Sequence, residues 1–125
     1  MNDTELLSAF ETGTLESFPH ESHLRVVYLL IRRDGVDDAL TNMSARIKAW
    51  ARASGRPEAF HVTRTTAWTL LVAELGDAGG SLDLLAGHPE LTRRDLLNDY
   101  YSPGRLATDE ARTTYLPPDL KPFTR

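Results

Sequence analysis

"FPHESHLRVVYLLIRRDG", residues 18–35, decides the fold. A proline stands where a helix can begin, two histidines follow three residues apart, apolar residues fill the middle, and Asp34-Gly35 breaks the pattern. Proline suits a first turn because no intrahelical N–H bond is lost there, and Ser17 is a candidate cap. With about 3.6 residues per turn, His20, His23, Leu24, Val27 and Ile31 fall on one stripe. Ser22, Arg25 and Arg32 lie opposite, while Val26 and Leu29 spread apolar character over much of the circumference. The segment reads as a central helix with both imidazoles facing inward at its first turn.

The rest of the chain repeats the helical rhythm. Asp3 is a candidate cap for a helix over about 4–12, with Gly13 as its stop. Ala39, Leu40, Met43, Ile47 and Trp50 mark a long helix over about 36–54, closed by Gly55. A further helix starts after "FHVT", with Thr63 as the expected cap, and runs to about Leu75 before "GDAGG" interrupts it. Residues 81–87 can form two turns. Thr92 and Asp95 have capping-box spacing and predict a helix over about 93–101, and "TDEAR" at 108–112 opens another. "YLPPDLKPFTR" holds too much proline to stay helical and is expected to lie extended across the bundle. No segment alternates convincingly as a strand. The expected architecture is all-α: one domain over 1–125, a bundle of about four main helices, short extra helices, and an irregular Pro-rich C-terminal wrap.

Composition narrows the function classes. Charged residues make up 26% and hydrophobic residues 41%, with a formal net charge of -4, which argues against a general nucleic-acid binder. The longest apolar run, six residues at 26–31, falls far short of the ~20 needed to span a bilayer. "MNDTELLSAF" lacks the basic-then-apolar order of a signal peptide, and cysteine is absent. A cytoplasmic protein with no nucleic-acid or membrane partner is expected. Nothing matches GxGxxG, GxxxxGK[ST] or GxSxG, so dinucleotide, P-loop and serine-hydrolase chemistry have no support.

The candidate site follows from topology. Short connections favour an up-down-up order, so the helices starting near His20 and Thr63 begin at the same end. His61 then approaches His20 and His23, and a helix over 93–101 running back would bring Tyr101 and Ser102 there too. Three uses compete. His23 or His61, near an ordinary histidine pKa, can transfer protons while His20, Thr63, Trp68, Tyr101, Ser102 and Arg105 orient a small ligand. His20, His23 and His61 can instead hold a divalent metal, although no HExxH glutamate accompanies them. Or the histidines can be structural, bonded to backbone carbonyls. Arg105 and Arg112 have the planar fork to grip a carboxylate or phosphate, with an exposed ion pair as the alternative. Trp50 and Trp68 read as core or pocket-wall aromatics, and His88, before a proline in a turn, stays outside the set.

"FPHESHL", "FHVTRTTAW", "LLNDYYSPGRLATDEAR" and "LPPDL" occur in that order over roughly residues 15–120. As a series they resemble a group of small bacterial helical proteins of unassigned function with F-x-H-x-x-H-L, aromatic-His-x-T and Tyr-Ser motifs. The resemblance implies that His20, His23, His61, Thr63, Tyr101 and Ser102 belong together, and it implies no activity. Val62 departs from it, standing where an acid is expected. The reading at this point is a small helical enzyme or ligand-binding protein with a His/Tyr-lined pocket acting by acid/base chemistry on a small metabolite. A metal-binding protein and a non-catalytic helical module that dimerises or binds a partner are the alternatives.

Overall fold

The structure is a computed structural model and describes residues 1–123. Among the described residues there are six α-helices: α1 (Asp3–Thr12), α2 (His20–Asp34), α3 (Val36–Ala53), α4 (Val62–Glu74), α5 (Ser81–Gly87) and α6 (Asp109–Thr113). No strand forms among the described residues, and the protein is an all-α bundle. No helix among them is long and apolar enough to cross a membrane.

The opening segment is the hub. α2 packs against α1, α3, α4 and α5, and α4 closes the other side against α3 and α6. Leu24, Val26, Val27 and Leu30 are fully buried and meet Leu6, Met43, Ala67, Val72, Leu84 and Leu97 in one apolar core. Burying a leucine or valine side chain contributes about 1.5–3 kcal/mol, so this stripe supplies much of the driving force. α2 and α3 are joined by Gly35 alone, with φ 87° and ψ 169°. That backbone region is essentially closed to residues with a Cβ, which explains why glycine permits so abrupt a junction.

Several helix ends differ from the sequence expectation. Asn2, not Asp3, caps α1: its side chain accepts the Glu5 N–H at 2.8 Å, and Glu5 accepts the Asn2 N–H at 3.0 Å. Asp3 is thereby released for a contact with α5. Its carboxylate accepts the Ser81 N–H at 3.1 Å and the Ser81 hydroxyl, and it takes a hydrogen bond from Arg25 Nη2 at 3.1 Å. Pro19 occupies the cap position of α2 and no side chain, Ser17 included, caps that helix. α4 is capped by His61 rather than Thr63. The helix expected over 93–101 is replaced by a single 3-10 turn, Leu96–Asp99, with another, Pro89–Thr92, just before it. Thr92 turns its hydroxyl back to the Pro89 carbonyl at 2.7 Å instead of capping Asp95, so the capping box never forms.

Arg25, placed by the helical wheel on the polar side of α2, is buried. Its Nε donates to Ser81 Oγ at 2.7 Å, and its Nη2 donates to the Met1 carbonyl at 2.9 Å and to Asp3. The wheel misplaces it because the N-terminus and α5 fold over that side and make it interior.

The C-terminal segment runs extended across the bundle and is fastened at several points. Thr63 Oγ1 donates to the Thr114 carbonyl at 2.9 Å and accepts the Leu116 N–H at 3.1 Å. Tyr101 donates to the Leu116 carbonyl at 2.8 Å, Arg105 Nε to the Pro117 carbonyl at 3.0 Å, and the Leu120 N–H to the Tyr100 carbonyl at 2.9 Å. Asp119 accepts both the backbone N–H, at 2.8 Å, and the hydroxyl of Ser102. Burial and the neighbouring Tyr115 push the Tyr101 phenol up, so it stays protonated as a donor. Tyr101→Phe should cost about 1 kcal/mol in urea denaturation, the usual net worth of one such bond. The same substitution should free the segment from 114 onward for proteolysis earlier than the helices.

Candidate functional site

The α2 and α4 starts do share one end. His20, His23, His61 and Trp68 line a cleft of about 230 Å³ together with Phe18 and Trp50. Ile47, Arg64 and Thr65 also reach it. Trp68 is buried and meets the His20 ring edge-on, with centroids 4.6 Å apart. Trp50 is 42% exposed and stands at the mouth, with Phe18 6.5 Å away. Phe18 and Trp50 also separate this cleft from a second, mostly apolar hollow of about 240 Å³ beside Phe10, Leu15 and Arg46.

The three histidines have different duties. His61 Nδ1 accepts the Arg64 N–H at 3.1 Å, and its Nε2–H donates to the Leu106 carbonyl at 2.8 Å. Both nitrogens are committed: one caps α4 and the other ties α4 to the loop before α6. Burial outweighs the Leu106 bond and, with Arg64 and Arg112 nearby, holds the imidazole pKa below its usual value. In this arrangement His61 has no nitrogen left for proton transfer or a metal. His61→Ala should cost about 2 kcal/mol by thermal or urea denaturation, because it removes a cap and leaves a carbonyl unpaired. His61→Asn, a good cap residue, should recover part of that loss.

His20 donates from Nε2 to the Leu91 carbonyl at 2.8 Å, which leaves Nδ1 as an acceptor. His23 is the exception. Its Nε2 is enclosed and is the one buried side-chain polar atom without a hydrogen-bond partner among the described residues. Phe18 packs tilted over this imidazole at 5.5 Å. Burial, reinforced by His20, pushes its pKa down to about 4, so the ring is neutral at physiological pH.

The remaining expected site residues separate from this cleft. Tyr101, Ser102, Arg105 and Thr63 hold the C-terminal segment, and none of them lines the cleft. The reason is topological: one short 3-10 turn, Leu96–Asp99, stands in place of the returning helix that would have carried Tyr101 to the histidine end. Arg112 donates to the Glu58 carbonyl at 2.9 Å. The three-histidine metal arrangement does not assemble either. His20, His23 and His61 line one cleft, yet no group of three potential ligands converges among the described residues. Two of the imidazoles aim Nε2 at backbone carbonyls instead.

The sequence marks Trp50 and Trp68 alike as core or pocket-wall aromatics, and both line the cleft. Phe18 stands in the opening motif without a site role of its own. Trp50 lies near the end of α3 and is exposed. Arg64, the first charged residue of α4, carried no signal beyond its exposure. Comparisons of the chain with models of protein families, with curated proteins and with solved structures return no match.

Proposed function

We propose that the chain is a ligand-binding protein whose cleft between the starts of α2 and α4 takes a small planar molecule. The observation that carries this reading is His23 Nε2. An unsatisfied buried polar group costs about 1–3 kcal/mol, and such groups in folded proteins call for an explanation. Here the nitrogen belongs to a residue that lines a cleft with Phe18, Trp50 and Trp68, which offers flat apolar contact beside the imidazole. A ring with one hydroxyl or N–H group satisfies both features. Phe18 covers the imidazole, so the ligand reaches Nε2 by displacing that ring.

The neutral imidazole also suits general-base chemistry on a bound hydroxyl, which keeps an acid/base role for His23 within this reading. His20 orients the site from its Leu91 bond, and His61 is a positioning residue that fixes the start of α4. A cytoplasmic setting is consistent with the cysteine-free sequence.

Phenol is the simplest probe, since it combines a flat ring with one hydroxyl. Trp50 and Trp68 both line the cleft, so tryptophan fluorescence reports its entry. Phenol should give a saturable change in the millimolar range, weakened at least fivefold by His23→Phe, which keeps a ring and deletes the nitrogen. His23→Leu serves where the larger ring strains the site. No saturable change, or equal binding to both variants and the wild type, would sink the reading.

A further inference from the structure

The charge lining the cleft narrows the class of ligand. Arg64 is the only charged residue among the ten described residues that line it, and no carboxylate is among them. Its side chain makes no hydrogen bond or ion pair with any described residue, although most other arginines of the bundle are paired. Its backbone N–H is already held by the His61 cap, so the guanidinium is the free part of the residue. Arg64 and Arg112 both lower the pKa of His61, which places their positive charge on this side of the site. The two polar groups also differ in depth: His23 Nε2 is enclosed, whereas Arg64 is exposed.

We infer that the natural ligand is a small aromatic carboxylate that carries a hydroxyl or N–H group on the far side of its ring. The inference rests on reading the cleft as a ligand site. The ring lies between Trp50 and Trp68 with the inner polar group on His23. The carboxylate stays at the mouth, where the planar guanidinium can hold both oxygens. A cationic ligand finds no acidic partner in the lining. An apolar one leaves His23 unpaired and Arg64 unused.

The test compares phenol, benzoate and 4-hydroxybenzoate on the wild-type protein, Arg64→Gln and Arg64→Lys, at low and high salt. Arg64 is exposed and its side chain is unbonded, so these substitutions leave the fold in place. In the wild type 4-hydroxybenzoate should bind roughly fivefold more tightly than phenol, the upper end for an exposed ion pair. That advantage should vanish in Arg64→Gln, survive in part in Arg64→Lys, and shrink as salt rises. If phenol binds and the carboxylate adds nothing, the anion inference falls while the cleft reading stands. If the carboxylate advantage persists in Arg64→Gln, another group holds the anion and the inference is overturned. If none of the three probes binds, the cleft reading itself has failed.

Discussion

Lowering the pH from 7 to 4 should cost the protein up to about 3 kcal/mol of stability through His23 alone. The imidazole pKa falls from 6.5 to about 4 on folding because the ring is buried beside His20. Between those values the unfolded chain binds a proton at this residue and the folded protein does not. Stability therefore rises with pH across the window, is fully present above about 6.5, and is lost as pH falls toward 4. A tenfold difference in proton affinity between the two states is worth about 1.4 kcal/mol, which sets the magnitude. His61, also depressed by burial, adds in the same direction. The carboxyls of Asp3, Glu11, Asp77 and Asp119 are held below their ordinary values and lose their contributions further down the pH scale. Urea denaturation at pH 7, 5.5 and 4.5 checks this, and His23→Phe should remove most of the slope. Without ligand at pH 7, that variant should be no less stable than the wild type, since it deletes an unsatisfied buried nitrogen. A wild-type stability flat across the window, or an unchanged slope in the variant, would show that the imidazole is not enclosed as described.

Arg25→Ala should destabilise the fold by about 2–3 kcal/mol. The side chain joins three parts of the chain, through Ser81 on α5, Asp3 on α1 and the Met1 carbonyl. Breaking a fully buried pair costs about 3–5 kcal/mol and an exposed one less than about 1. The Arg25 side chain is 11% exposed and that of Asp3 35%, which places the loss between these limits. Burial pushes the Asp3 carboxyl up, and the hydrogen bonds from Ser81 and Arg25 outweigh it, so the group is ionised and needs its cation. Arg25→Met keeps the aliphatic stem and should recover the packing share of the loss, leaving the charge share. Asp3→Asn should resemble Arg25→Ala in weakening the α1–α5 contact. Earlier hydrogen exchange in α5 than in α2 would locate the damage.

Where helix pattern and packing agree, the residues alone were enough to read the fold. Leu24 and Val27 lie on the stripe derived from the 3.6-residue period, and both are fully buried. Gly13, Gly35 and Gly55 end or join helices as their flexibility demands. The ends were less legible because short polar residues compete for the same backbone donors. Asn2 and Asp3 are both good caps, and only the position of Ser81 decides that Asp3 serves another helix. Arg25 was misplaced for the same reason, since a helical wheel knows one helix and not what folds over it.

The candidate site was legible only at its histidine end. The shared start of α2 and α4 followed from connection length, and His20, His23 and His61 do line one cleft. Their separate duties depend on the carbonyls of Leu91 and Leu106, 71 and 45 residues away in sequence, which no spacing rule reaches. Tyr101 and Ser102 looked like site residues because a helix was expected to carry them. The 3-10 turn over Leu96–Asp99 stands in its place, and both residues bond to the C-terminal segment instead.

The most direct measurement is an imidazole nitrogen NMR spectrum of the four histidines recorded through a phenol titration. The His23 Nε2 resonance should shift saturably on binding, with the Leu91-bonded and Leu106-bonded nitrogens of His20 and His61 moving little. A His23 resonance that stays fixed while phenol saturates the protein would contradict the account.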